Sequence, residues 1–395
     1  MRSAVIVDAV RTASGKGKPG GALSGVHPVD LLQQTLRGLL DRNDLDPALI
    51  DDVIAGCVSQ TGEQALNIAR TALLAAGLPE SVPGTSVDRQ CGSSQQAAHF
   101  AAQGIMAGAY DVAIACGVES MSRIPMGASS QGQDPNGAPL AGRYPEGLVG
   151  QGISAELIAA DWKLSRADLD EFSARSHGLA AAAVASGLLD NETVPITLPD
   201  GSLHTVNETL RASTTAEGLG GLRASFESEE FSARFPQIQW SITAGNSSPL
   251  TDAASAVLIM SEDKAVELGL TPRARFHSFA VTGSDPLYML TGVIPATEKV
   301  LKRAGLTIDE IDTFEINEAF APVPLCWLAE TGAAPDRLNP AGGAIALGHA
   351  LGASGTRLLT TMLTNLEASG GRYGLQTMCE GGGMANATII ERLTA

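Results

Sequence analysis

Short apolar runs and helix-spaced apolar stripes succeed each other along most of the chain. Residues 3–10 alternate as a strand, and Val29, Leu32, Leu36 and Leu39 mark one face of a helix over 28–40. Residues 53–58 form a strand-length apolar run, and a helix over 64–76 is closed by Gly77 with Pro79 beyond. A further strand is expected over 111–117. Strands alternating with helices of this length predict an α/β layer with a mostly parallel sheet. Between 119 and 246 the periodicity lapses. Gly, Pro, Ser and Gln crowd 121–152, two helices follow over 153–163 and 166–186, and a polar region runs to Trp240. Regular texture returns with strand 253–260, helix 295–304, strand 313–317, helix 357–366 and strand 374–378. The expected organisation is therefore one half from 1–118 plus 247–270, an inserted loop subdomain at 119–246, and a second half at 271–395.

The two halves repeat one another. Residues 45–54 (LDPALIDDVI) return 261 positions later as 306–315 (LTIDEIDTFE), with Leu, Ile and Asp in register. Cys116 and Cys379 recur at nearly that spacing, 263 positions apart. A duplicated α/β unit brings equivalent strand ends to one cleft, where the chemistry is to be sought.

Composition narrows the classes. With 395 residues, 44% hydrophobic and 17% charged, the chain has the make-up of a globular protein of two or three units. A net charge of −17 argues against nucleic acid and anionic membrane surfaces as partners. No apolar segment is long enough to span a bilayer. Five cysteines, at 57, 91, 116, 326 and 379, are too scattered for a disulfide framework or a Cys-x-x-Cys zinc site. No metal is called for. The N-terminus passes directly into a strand, leaving no room for a signal peptide, so a cytoplasmic location with reduced thiols is expected.

Candidate chemistry sits in four segments. Asp88-Arg89-Gln90-Cys91-Gly92-Ser93-Ser94 reads as strand, tight turn, helix. That places Cys91 at a helix N-terminus, where free amides and the macrodipole are expected to lower a thiol pKa. The competing reading is a small buried hydrophobe. Among six histidines, His349 stands out in Gly342-Gly343-Ala344-Ile345-Ala346-Leu347-Gly348-His349, where glycines allow close backbone approach. In the repeat, Cys91 falls on position 354, five residues past His349, so a Cys–His encounter is expected. Cys379 precedes Glu380-Gly381-Gly382-Gly383, a glycine run without evident packing use that suits a backbone presenting N–H groups to an oxyanion. Asn317, in Asn317-Glu318-Ala319-Phe320, ends a strand and either holds a water or carbonyl or merely caps a helix.

Taken with Val10-Arg11-Thr12, Gly56-Cys57-Val58 and Ala244-Gly245-Asn246-Ser247-Ser248, these segments resemble the thiolase family (acetyl-CoA acetyltransferase, 3-ketoacyl-CoA thiolase) over nearly the whole chain. The resemblance implies a duplicated α-β-α-β-α layered fold with two pseudo-symmetric halves and an inserted loop subdomain. It implies acyl transfer between coenzyme A thioesters through an acyl-Cys91 intermediate, with acyl-CoA and coenzyme A as substrates and no other cofactor. His349 and a water on Asn317 would serve one oxyanion, and the Cys91 and Gly381 amides a second. Cys379 would be the acid/base, Ser248 would touch the pantetheine arm and Arg223 the nucleotide. A homodimer or homotetramer is implied as well.

Departures from the family pattern carry expectations of their own. Ala350 replaces a proline and loosens the backbone after His349. Glu380 replaces an apolar residue and either raises the pKa of Cys379 or faces solvent. Pro322 and Pro324 predict a late start for the following helix. Gly150-Gln151-Gly152 replaces His-Met and points away from acetoacetyl-CoA, toward longer or bulkier acyl groups. Three rival readings are a ketoacyl synthase, which needs a second histidine, a cysteine protease built on Cys91, His349 and Asn317, and a non-catalytic acyl-CoA carrier.

Overall fold

The computed structural model describes residues 2–394. Nine strands carry the main sheet: β1 (Ala4–Thr12), β2 (Asp52–Gly56), β3 (Gly84–Val87), β4 (Val112–Ser120), β5 (Thr251–Ser261), β6 (Ala274–Gly283), β7 (Thr313–Ile316), β8 (Tyr373–Glu380) and β9 (Met384–Arg392). Across the sheet they run β7-β8-β9-β6-β1-β5-β4-β2-β3. The halves meet where β1 and β6 pair antiparallel, Val5 opposite Arg275. Helices α1 (Pro28–Asn43) and α2 (Ile68–Ala75) pack with the first half in one hydrophobic core. Helix α3 (Ser93–Ala107) follows the Cys91 turn, while α4 (Gln151–Asp161) and α5 (Arg166–Ala185) come from the central region. Helices α6 (Val293–Ala304) and α7 (Pro322–Thr331) pack with the second half in another core, and α8 (Ser354–Ser369) precedes β8.

The duplication is structural. Strands β2 and β7, strands β4 and β8, and helices α3 and α8 each begin 261 residues apart. At that offset Cys379 pairs with Val118 rather than Cys116, and Cys91 with Gly352 rather than Ser354. Helices α3 and α8 form the middle layer between the two halves, sharing a core with residues of β1, β4, β5 and β9. Every residue from Ser354 to Leu366 is buried, as expected of a helix enclosed on all sides. The layers are therefore helix, sheet, helix, sheet, helix.

The sheet is not mostly parallel. Among these nine strands only β2·β3, β2·β4 and β7·β8 are parallel, with one short parallel bridge of Arg11–Thr12 to Thr193–Val194 beside them, and the five junctions from β4 through β5, β1, β6 and β9 to β8 are antiparallel. Helices cover both faces, so antiparallel strands here carry the same unbroken apolar runs as parallel ones, and the pattern does not report direction.

Two helix starts also differ. Helix α2 begins at Ile68, after Leu66 and Asn67 take left-handed backbone angles (φ 58° and 61°) and Asn67 caps the Arg70 N–H. Gln64 instead donates its side-chain amide to Ser59 O (2.9 Å) and Glu119 Oε1 (2.8 Å). Helix α7 starts at Pro322 without delay, because first-turn amides have no intrahelical acceptor and prolines there forfeit nothing. Among the described residues, no helix is long and apolar enough to cross a membrane.

Candidate active site

Cys91 lies in the turn between β3 and α3, and the preceding Gln90 takes a left-handed backbone (φ 49°). The expected low thiol pKa is not found. The Gly92 and Ser93 amides at the helix start donate to Arg89 O (3.1 Å) and Gln90 O (3.0 Å), within the turn itself. Cys91 is only 3% exposed, and burial pushes its thiol well above the usual range, reinforced by the Cys379 sulfur and the Glu380 carboxyl. Cys91 therefore rests as a thiol and needs a base.

His349 is the candidate. Its Nδ1 lies 2.6 Å from Ser354 Oγ, and that hydroxyl donates to Ala350 O at 2.8 Å. With the serine proton committed, Nδ1 must be the donor and Nε2 the bare acceptor. Asn317 Nδ2 sits 3.4 Å from that Nε2. Burial first, and Arg357 second, lower the imidazole pKa to about 3, so the ring rests neutral with Nε2 unprotonated. Gly348 (φ 89°) permits the approach, since a side chain there would press on Thr251 Oγ1 at 2.7 Å. Thr251 Oγ1 in turn accepts the His349 N–H at 3.0 Å. Ala350 adopts φ −74°, the value a proline would impose, so the backbone is not loosened.

Asn317 also reaches the second sulfur. Burial pushes the Cys379 thiol up and Glu380 adds to it, while the nearby Asn317 side chain and the Cys379 and Ala319 amides pull the other way. Burial prevails and leaves the thiol at about 12. The structure thus groups Cys91 with Cys379, and Asn317 with both Cys379 and His349. Asn317 Oδ1 is buried with no partner among the described residues.

The glycine run does have a packing use: it is the hairpin joining β8 to β9, with Gly382 and Gly383 left-handed (φ 85° and 80°). Gly381 has no such need. A Cβ there would lie 3.2 Å from Gln151 Nε2 and 3.3 Å from Gln90 Oε1, which places Gly381 opposite the Cys91 turn. Glu380 does not face solvent; it is fully buried. Ser248 is partly buried and its amide donates to Ala319 O at 3.0 Å, beside Asn317. Arg223 is exposed and is not drawn into this cluster; the turn before it, through Leu219 and Leu222, rests on Gly245.

Two supporting residues, Ser354 and Glu119, carry no motif and escape a sequence reading, and a third, Glu318, lies in a named segment without a role assigned to it. Ser354 fixes the His349 tautomer. Buried Glu119 accepts from the Val58, Ser59 and Gly352 amides at 2.9–3.0 Å, tying both halves together behind Cys91. Glu318 accepts from Ser176 Oγ (2.7 Å), Asn339 Nδ2 (2.8 Å) and the Ile345 amide (3.1 Å), and so holds the segment leading to His349. Its place beside Asn317 was the one available signal. The other histidines are engaged elsewhere. His27 caps α1, His99 bonds Thr388, His177 accepts the Arg211 amide, His204 lies in a small hairpin and His277 packs on Tyr373.

Two buried thiols, a neutral imidazole and an amide thus gather at strand ends of a duplicated α/β fold, a set of groups suited to acyl transfer. The thiolase N-terminal domain model matches residues 4–263 and the thiolase C-terminal domain model residues 270–392. A steroid 3-ketoacyl-CoA thiolase of Mycobacterium tuberculosis is 51% identical over 401 aligned positions, covering 100% of this chain and 95% of the relative. A 3-ketoacyl-CoA thiolase of Serratia proteamaculans is 44% identical, with 100% of both chains covered. The crystal structure of the Bacillus anthracis acetyl-CoA acetyltransferase superposes with a TM-score of 0.89 at 35% identity, covering 100% of this chain and 99% of that one. The chain belongs to the thiolase family and is an acyltransferase with thiolase activity.

Proposed function

We propose that this thiolase cleaves bulky 3-ketoacyl-CoA substrates with coenzyme A, and that Cys91, His349, Asn317, Cys379 and Gly381 carry the reaction. The observation behind the assignment is the Asn317 amide, 3.4 Å from His349 Nε2 and close enough to Cys379 to favour its thiolate, with the Cys91 and Cys379 sulfurs near enough to oppose each other's ionisation. The Cys91 proton passes to bare His349 Nε2, and the thiolate adds to the 3-keto carbon. Amides of Cys91 and Gly381 receive the oxyanion. As the tetrahedral adduct collapses, the Cα–Cβ bond breaks. Its electron pair forms the acetyl-CoA enolate, whose oxygen is held by protonated His349 Nε2 and a water on Asn317. Cys379 then protonates the enolate carbon. The Cys379 thiolate next takes the coenzyme A proton, and the new thiolate releases the acyl group from Cys91. Ser248 and Arg223 are assigned to coenzyme A, along the pantetheine and at the nucleotide. Reduced cysteines and acidic surface charge suit a cytoplasmic enzyme.

Two observations support a bulky acyl group: the name of the mycobacterial relative, and a cavity of about 360 Å³ lined by Tyr144, Pro145, Leu148, Pro286 and Leu287. The segment 284–286 packs on Gly383, and Gln151, just past the other wall, lies by Gly381, so the cavity adjoins the Cys379 hairpin. In this reading the region 119–246 is the unit that shapes the acyl site. Thiolysis across a 3-ketoacyl-CoA series, from acetoacetyl to ring-bearing groups, should be fastest at the bulky end. Uniformly best turnover of acetoacetyl-CoA would refute the substrate class. Leu287→Trp fills the cavity and should raise KM about tenfold or more for bulky substrates while sparing acetoacetyl-CoA.

The assembly we propose is a homodimer built on β3. That strand ends the sheet with one edge unpaired, and Leu66 nearby is 93% exposed. Sedimentation velocity at micromolar concentration should show a dimer or larger species; a monomer would overturn the assignment.

A further inference from the structure

Glu380 is a buried carboxyl that the mechanism above does not use. It follows Cys379 at the end of β8, and its Oε1 occupies the space a side chain on Gly92 would need, directly after Cys91. With the Asn386 amide turned so that its nitrogen faces the carboxyl, it donates to Oε1 at 2.7 Å and its oxygen accepts the Gln96 amide at 3.3 Å. Oε2 is buried with no partner among the described residues. The charged and titratable groups facing it are Asp88 and Arg89 from the turn before α3, and the Cys91 and Cys379 thiols. From β9 it meets the neutral amide of Asn386, whose oxygen is held in turn by the Gln96 backbone amide of α3.

We propose that Glu380 is a positioning residue that seats the Cys91 turn against the Cys379 hairpin and, when ionised, withholds negative charge from both sulfurs. Three groups that can each become anionic share one buried pocket, so a charge on one opposes a charge on the others. Burial raises the Glu380 pKa to about 8, against the pull of Arg89. Below that pH the carboxyl is neutral and either thiol can lose its proton without a neighbouring anion. Above it the carboxylate is present and thiolate formation at Cys91 is opposed. Rising pH thus both favours thiolate in the ordinary way and, through Glu380, works against it.

The role attributed to Glu380 rests on the Cys91 assignment, and the test reads the sulfur rather than turnover. The rate of Cys91 alkylation by iodoacetamide, followed on its peptide by mass spectrometry, is measured from pH 6 to 10 in the wild-type chain and in Glu380→Gln. Glutamine matches the neutral carboxyl in shape. The ratio of variant to wild type should be near one at pH 6–7 and rise to about tenfold above pH 9, one pKa unit of relief. The wild-type profile alone should bend downward near pH 8, which guards against a misfolded variant. A ratio constant with pH, or a wild-type profile with no bend, overturns the proposal and leaves Glu380 a packing residue. A rising ratio without thiolysis of any substrate would uphold the proposal and sink the reaction assignment instead.

Discussion

Cys91→Ala is expected to lower thiolysis by about 10⁴-fold or more, because a covalent route lost at its nucleophile leaves only binding and oxyanion stabilisation. The variant should still fold. Cys91 packs against Met121, Leu351, Leu358 and Met378, and removing one sulfur from that contact costs about 1 kcal/mol. Coenzyme A binding should persist, since the assigned coenzyme A contacts at Ser248 and Arg223 stay intact. Labelled acyl groups from acyl-CoA should fail to attach to the protein. Retained covalent labelling in Cys91→Ala would move the nucleophile elsewhere, with Cys379 the first candidate.

Glu192→Ala should be the most damaging change to stability outside the site. Arg11 and Glu192 form an ion pair at 2.5 Å with both side chains 2% exposed. Glu192 also accepts from Thr361 Oγ1 (3.1 Å) and Thr364 Oγ1 (2.8 Å) on α8, so one carboxylate fastens β1 to the middle helix layer. Truncation leaves a guanidinium buried without its counter-charge and the Thr361 hydroxyl without an acceptor, while Thr364 keeps Thr360 O at 3.2 Å, a loss of about 3–5 kcal/mol. Denaturant unfolding should show the midpoint falling by that amount, and Glu192→Gln should recover part of it by keeping the hydrogen bonds. A midpoint unchanged in Glu192→Ala would mean that the remaining partners of Arg11, Thr12 O and Asn207 Oδ1, suffice to hold it.

The site was legible where chemistry and backbone coincide. Cys91 and His349 each adjoin a glycine and Cys379 stands two residues before three of them, and the four segments together specify the family. Strand direction was not legible, because helices on both faces give β5 and β9 the apolar runs of parallel strands. The Cys91 pKa was misjudged for a related reason. A helix start advertises free amides, but which carbonyls in the turn take them, and how deeply the sulfur is buried, are tertiary facts. Cys116 and Cys379 suggested an offset of 263 because cysteine is conspicuous, whereas the elements follow 261. Ser354 and Glu119 were invisible as ordinary polar residues whose meaning comes from partners far along the chain.

Duplication of a half would be expected to yield two equivalent nucleophile positions. The partner of Cys91 at the shared offset is Gly352, wedged so that a Cβ would lie 2.7 Å from Gly56 O, Cys57 Cα and Val118 O. Whatever stood there in a symmetric ancestor could not keep a side chain once the halves closed on each other. The asymmetry by which, in the proposed mechanism, one half donates the attacking sulfur and the other the proton-transfer sulfur is therefore matched by packing at Gly352. Mutational drift can retune either role, but it cannot exchange them without first prising the two halves apart.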